Sequence, residues 1–113
     1  MHELPITEQI IKLALKHAET AQASKIEKII LVVGEQSGFV GDSVRMYFDV
    51  IARGTLCKGA ELVIKPVKPQ LRCMTCGILF LRKAFSFQCP ECGGEGEPTE
   101  IGREFYIESM VIS

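Results

Sequence analysis

Four of the five cysteines are spaced like the ligands of a metal ion. They form two C-x2-C pairs with twelve residues between them: Cys73 with Cys76, and Cys89 with Cys92. Four thiolates can surround a Zn²⁺ ion tetrahedrally, and paired C-x2-C units are typical of structural zinc sites. Each pair is followed by a glycine, which can adopt the positive φ that lets a turn wrap around a sulfur. The spacing therefore predicts a structural zinc site.

Other uses of these thiols stay open at this point. A rubredoxin-like iron centre with four cysteine ligands, and with it an electron carrier, would use the same ligand spacing. Disulfides or a redox dithiol are disfavoured, because the cysteine count is odd and the chain has no secretion signal. Four thiolates leave no open coordination position, so hydrolytic chemistry is not expected at this centre. The fifth cysteine, Cys57, is interpreted as a small, partly buried hydrophobe.

A second set of potential metal ligands lies at the N-terminus, which reads Met1, His2 and Glu3. The free amine, the backbone nitrogen of His2 and its imidazole can close two adjacent chelate rings. Nitrogen donors in this arrangement suit square-planar Ni(II) or Cu(II), although imidazole also binds zinc. Glu3 adds a carboxylate that could complete the shell. The residues alone favour a simpler interpretation, in which His2 is a solvated terminal side chain.

Size and charge narrow the class of protein. The 113 residues, with a formal net charge of -1, suit one domain, since domains typically hold about 100–150 residues. The longest apolar run, 29–33, is far too short to cross a bilayer, and Glu3 and Glu8 interrupt any leader-like start. We therefore expect a cytoplasmic protein without a membrane span. The near-neutral charge also argues against nucleic-acid binding, which depends on many phosphate contacts.

The elements that would position these ligands form an α+β fold. Residues 5–21 show one apolar helical face, consisting of Ile6, Ile10, Leu13, Ala14 and Ala18. Residues 25–34 are rich in branched side chains and predict a strand buried on nearly both faces. A second helix is predicted from Asp42, as N-cap, to Gly54. Its apolar face would hold Val44, Tyr47, Phe48 and Ile51.

The cysteine region is expected to be an insertion. Strands are predicted at 60–67 and 103–112, and we expect these two to pair with each other, with the cysteines between them. Residues 1–67 plus 101–113 would then form two helices packed on a three-stranded sheet. Residues 68–100 would form an inserted four-cysteine, zinc-ribbon-like subdomain.

A zinc-ribbon module that binds nucleic acid is the main alternative function. Its stacking residues would be Phe80, Phe85 and Phe87, and its phosphate contacts Lys68, Arg72, Arg82 and Lys83. The simpler interpretation places the three aromatic rings in the small core of the ribbon. An enzyme is not expected, because the chain shows no nucleophile with a plausible base and no phosphate-binding Gly-Lys loop. His17 is expected to form hydrogen bonds at the edge of the core.

Several motifs occur together in the order found in one known family. They are Met-His-Glu-Leu-Pro at 1–5, Gly-Glu-x-Ser-Gly at 34–38, Gly-Thr followed by Gly-Ala-x-Leu-x-Ile within 54–64, and the two cysteine pairs. On these residues the chain resembles the HypA/HybF nickel-incorporation proteins over essentially its whole length. One departure is Gln36, which stands where many relatives have an apolar residue.

The resemblance implies a nickel metallochaperone for maturation of [NiFe]-hydrogenase and, in some organisms, of urease. His2 would be the main Ni(II) ligand, supported by the Met1 amine and Glu3, and the four cysteines of the two pairs would hold Zn(II). Implied partners are a HypB-type nickel GTPase, the hydrogenase large subunit and urease maturation proteins, with the chain a monomer or homodimer. Asp42 is a candidate to approach the nickel, although helix capping is the favoured role.

Overall fold

The computed structural model describes residues 3–83 and 85–113, so Met1, His2 and Ala84 lie outside it. Two helices and six strands follow one another along the chain: α1 (Glu3–Thr20), β1 (Ile26–Gly34), α2 (Gly41–Ile51), β2 (Glu61–Val67), β3 (Gln70–Cys73), β4 (Leu79–Leu81), β5 (Gly96–Pro98) and β6 (Phe105–Ile112). The strands form two separate three-stranded sheets. Neither helix, within these described ranges, is long and apolar enough to cross a membrane.

Both helices pack on one face of the larger sheet. Alternate residues of β1, namely Ile29, Leu31 and Val33, lie in the same buried core as Ala14 of α1 and Phe48 of α2. Because alternate side chains of a strand point to the same face, the two helices cover that face together. The predicted α+β class, with two helices on a three-stranded sheet, is confirmed.

The order of the strands in this sheet differs from the expectation. β2 and β6 do not pair with each other, because both flank β1 in the order β2-β1-β6. β1 runs parallel to β2 and antiparallel to β6, and Ile29 lies opposite both Leu62 and Met110. The physical reason is burial. β1 is the most apolar of the three strands, and the central position removes more of its surface from water than an edge position would. β2 contains Pro66, which lacks an N–H and therefore suits an edge strand.

The buried face of α1 contains the predicted Ile10, Ala14 and Ala18, but it is shifted toward Ile11 and away from Leu13. Ile11 is 3% exposed and belongs to the core, whereas Leu13 is 56% exposed. The buried stripe follows Thr7, Ile11, Ala14 and Ala18, which are spaced four, three and four residues apart. Because this stripe includes a threonine, a prediction based on apolar residues alone assigned Leu13, and not Ile11, to the buried face.

Helix α2 begins one residue before the predicted N-cap. Its N-cap is Val40, which forms no side-chain cap, and Asp42 lies exposed within the first turn. The expectation that Asp42 caps the helix is therefore wrong. The predicted apolar face is confirmed, since Val44 and Phe48 are completely buried or nearly so.

The smaller sheet contains the cysteine region and has the antiparallel order β4-β3-β5. Its own core is small and consists of Leu71, Cys73, Phe80 and Cys89. The loop after β1 is hydrogen-bonded to the two segments that lead into and out of the cysteine region. Glu35 N–H donates to Val67 O at 2.9 Å, and Gln36 N–H donates to Gly102 O at 2.6 Å. Through its backbone, Gln36 therefore contacts the segment that returns from the cysteine region.

Candidate metal centres

The four cysteine sulfurs of the two C-x2-C pairs converge on one point. All four lie within 4.8 Å of one another. The Sγ atoms of Cys73 and Cys92 are 3.4 Å apart, and those of Cys76 and Cys89 are 3.7 Å apart. A tetrahedron with metal–sulfur bonds of about 2.3 Å has sulfur separations of about 3.8 Å, so the cluster has the right size. No disulfide joins any of the five cysteines in this structure.

Two similar turns place these sulfurs. Gly77 N–H donates to Cys73 O at 3.0 Å, and Gly93 N–H donates to Cys89 O at 2.9 Å. The two glycines have φ values of 80° and 75°, in the left-handed region that side chains disfavour. The turn geometry predicted for the glycine after each pair is therefore confirmed.

Backbone N–H groups surround the sulfurs and favour their ionised form. Cys76 N–H and Thr75 N–H both donate to Cys73 Sγ at 3.4 Å. These donors, that of Cys76 first, lower the pKa of Cys73 to about 6. Glu91 N–H and Gly94 N–H make the corresponding contacts to the sulfurs of the second pair. The pKa values of two other thiols in the cluster shift the opposite way, although a backbone N–H donor opposes the shift in each. Burial and the neighbouring thiols raise the pKa of Cys76 to about 12, and the neighbouring Cys73 together with burial raises the pKa of Cys92. A tetrahedral cation with a closed coordination shell would stabilise the four thiolates together.

Cys57 takes no part in this cluster. Its side chain is completely buried in the main core, and Thr55 Oγ1 accepts its backbone N–H at 3.0 Å. Burial raises the pKa of the Cys57 thiol, which therefore stays protonated. The interpretation as a small hydrophobe is confirmed, and burial is complete where it was expected to be partial.

Of the N-terminal set, Glu3 alone lies within the described residues. It is the first residue of α1 and is 8% exposed. Its carboxylate Oε2 accepts the backbone N–H of Val40 at 3.2 Å. Glu3 therefore lies where the N-termini of the two helices meet. Capping rules based on neighbouring residues give no signal of this contact, because it joins residues 37 positions apart.

The aromatic residues considered for nucleic-acid binding differ in burial. Phe80 is buried at 7% exposure, whereas Phe85 is fully exposed and Phe87 is 48% exposed. Arg82 stacks over the Phe87 ring at 4.3 Å from its centre. Placing the aromatic rings in the ribbon core is right for Phe80 and wrong for the other two, because Leu71 and the cysteines already fill that core.

His17 lies at the rim of an apolar groove between α1 and β6. Its side chain is exposed, as is that of the neighbouring Leu13. The groove has a volume of about 570 Å³ and is lined mostly by apolar residues of both elements, together with Gln9, Glu108 and Ser109. His17 is thus separate from the cysteine cluster and belongs to the surface of α1.

The fold and the cluster together define a small α+β metal-binding protein with a zinc-ribbon-like four-cysteine site. A family model described as "Hydrogenase/urease nickel incorporation, metallochaperone, hypA" matches residues 1–112. The hydrogenase maturation factor HypA of Caldanaerobacter subterraneus subsp. tengcongensis is 42% identical over 113 residues, 99% of each chain. The chain belongs to the HypA family.

Two further matches agree with this assignment. The hydrogenase maturation factor HypA of Dehalococcoides mccartyi strain 195 is 43% identical over 112 residues, covering 99% of this chain and 94% of the relative. The solution structure of the Ni metallochaperone HypA from Helicobacter pylori has a TM-score of 0.67 at 30% identity, covering 99% of this chain and 97% of that one.

Proposed function

We propose that this protein is a nickel metallochaperone that binds Ni(II) at its N-terminus and delivers it during hydrogenase maturation. His2 is the main ligand, and the Met1 amine and Glu3 support it. The match of the whole chain to a nickel-incorporation family, together with the Met-His-Glu start, carries this proposal. Nickel is the cargo of this activity and not a resident cofactor.

In this proposal the two parts of the chain bind different metals. Residues 1–67 plus 101–113 form the nickel-binding domain, and residues 68–100 form the zinc-binding domain. Cys73, Cys76, Cys89 and Cys92 would hold Zn(II), which supplies a cross-link between the two turns. A region with so small a core needs such a link, since structural zinc contributes on the order of 10–16 kcal/mol in finger-sized peptides.

Delivery requires a nickel site whose ligands can dissociate from the ion. Ligands at a chain end can leave the ion one by one, whereas ligands fixed on several strands must leave together. The recipient that we propose is the [NiFe]-hydrogenase large subunit, with urease as a further recipient through its maturation proteins. A HypB-type GTPase is the proposed partner, and it would supply the energy for any driven step. The resemblance of the motifs at 1–5 and 34–38 supports these partners.

Nickel titration by calorimetry on a tag-free, zinc-loaded sample tests the proposal. We expect the wild-type chain to bind one Ni(II) ion tightly and His2→Ala to lose this binding while keeping its zinc and its helices. His17→Ala is the matched control, since it removes an exposed histidine of α1 and should leave the affinity unchanged. Unchanged nickel affinity in His2→Ala would show that the site lies elsewhere.

A further inference from the structure

The N-termini of the two helices are joined by one buried carboxylate. α1 begins at Glu3, and α2 begins at Gly41 after its N-cap Val40. The first N–H groups at a helix N-terminus, including that of the N-cap residue itself, have no partner inside the helix. Glu3 Oε2 supplies a partner from the other helix, by accepting the N–H of the N-cap residue Val40 at 3.2 Å, as the glutamate of a capping box does within one helix.

Burial and charge indicate that this contact is built into the fold. Glu3 is 8% exposed, whereas Glu8, also on α1, is exposed to solvent. A carboxylate withdrawn from water is stable only when it is paired or hydrogen-bonded. The N-terminus of a helix is also its positive end, so the anionic side chain of Glu3 is favoured beside α2.

The main chain of Glu3 also accepts a hydrogen bond. The hydroxyl of Thr7, which is completely buried, donates to the backbone carbonyl of Glu3. Glu3 is thus attached to α1 through its carbonyl and to α2 through its carboxylate. The chain therefore enters the fold at a fixed point between the two helices.

We infer that Glu3 is the positioning residue of the proposed nickel site: its carboxylate caps α2 and fixes the point at which Met1 and His2 join the fold. This inference rests on the proposed function and specifies how Glu3 supports the site. Without the cap, the first turn of α1 is free to fray, and nickel binding must order it again. Loss of a helix cap therefore lowers nickel affinity by about fivefold to tenfold.

The experiment compares Glu3→Ala, Glu3→Gln and the control Glu8→Ala in tag-free, zinc-loaded protein. Glutamine keeps an oxygen that can accept Val40 N–H, whereas alanine does not. We expect Glu3→Ala to weaken nickel binding by about fivefold to tenfold, and Glu3→Gln and Glu8→Ala to stay within about twofold of wild type. The visible absorption spectrum of bound nickel should be the same in all samples, because no ligand has changed.

Amide exchange in the nickel-free protein reports on the cap by itself. Val40 N–H should exchange faster in Glu3→Ala than in wild type and Glu3→Gln. An altered nickel spectrum in Glu3→Gln would show that Glu3 coordinates the ion directly, which overturns the positioning role. Unchanged nickel affinity or unchanged Val40 exchange in Glu3→Ala overturns it too. Failure of the wild-type chain to bind nickel overturns the proposed function itself, and exchange at Val40 then still decides whether the cap exists.

Discussion

The sulfur of Cys76 lies 3.7 Å from that of Cys89, so the two cysteine turns meet directly although they come from different parts of the chain. Met74 N–H of the first turn also donates to Glu95 O at 2.9 Å, just after the second turn. The smaller sheet is therefore closed by contacts between the turns, and the metal would lie at their meeting point.

Replacement of one ligand should unfold this part of the molecule alone. In Cys76→Ser we expect a zinc content well below one ion per chain and loss of amide protection in β3, β4 and β5. The helices and β1 belong to a separate core and should stay protected. Zinc analysis and hydrogen exchange measure both effects. Met74→Ala, which changes a 61% exposed side chain of the same turn, should retain its zinc.

Two phenylalanines of the cysteine region should differ sharply in their contribution to zinc affinity. Phe80 is 7% exposed and packs in the small core, whereas Phe85 is fully exposed. Phe80→Ala is expected to cost about 3 kcal/mol, which is about a hundredfold in zinc affinity because metal binding and folding are coupled. Chelator competition measures this affinity. In Phe85→Ala the zinc affinity should stay near that of wild type. Equal losses of affinity in the two variants would contradict the packing of Phe80 in the small core.

Two residues of α2 should also differ in how much they contribute to the stability of the core between the helices and the larger sheet. Phe48 is 1% exposed and Met46 is 57% exposed. Phe48→Ala should lower the free energy of unfolding by about 3–5 kcal/mol, because it leaves a cavity among α1, α2 and β1. Met46→Ala should change it by about 0.5 kcal/mol or less. Urea denaturation followed by circular dichroism checks both values, and similar midpoints for the two variants would be the contrary result.

Local features of this chain could be predicted from its sequence. The cysteine turns depend on residues within a few positions of one another, so the pairs and the glycines 77 and 93 were enough to predict them. The helices were predicted for the same reason, with the start of α1 wrong by two residues. The class of the fold followed from the alternation of these elements.

Features that depend on distant residues were predicted less well. The central position of β1 follows from a competition among three strands for burial, which no single strand encodes. The contact between Glu3 and Val40 joins residues 37 positions apart, so capping rules based on neighbouring residues chose Asp42 instead. The choice of Leu13 over Ile11 for the buried face of α1 was wrong for a related reason, because the packing of both helices selects that face.

Nickel affinity should fall as the solution becomes acidic. A free α-amine has a reference pKa of about 7.7–8.0 and imidazole one of about 6.5, so protons compete with nickel for both donors near neutral pH. We expect the affinity to fall by about tenfold per pH unit for each displaced proton between about pH 8 and pH 6. Calorimetry in buffers of different ionisation heat measures the protons released. An affinity independent of pH would exclude this donor set.

The buried thiol of Cys57 should make stability depend on pH in the alkaline range. Its pKa is raised from the ordinary value of 9.0 by burial. The folded state therefore favours the neutral thiol, and its stabilising contribution is complete below about pH 9 and is lost as the pH rises through the raised pKa. Thermal denaturation of wild type and Cys57→Ala between pH 7 and pH 10.5 tests this. The alanine variant should be less stable by about 1 kcal/mol at pH 7, and the gap should narrow above pH 9. A constant difference would show that Cys57 does not ionise on unfolding, since all other titrating groups are common to both chains.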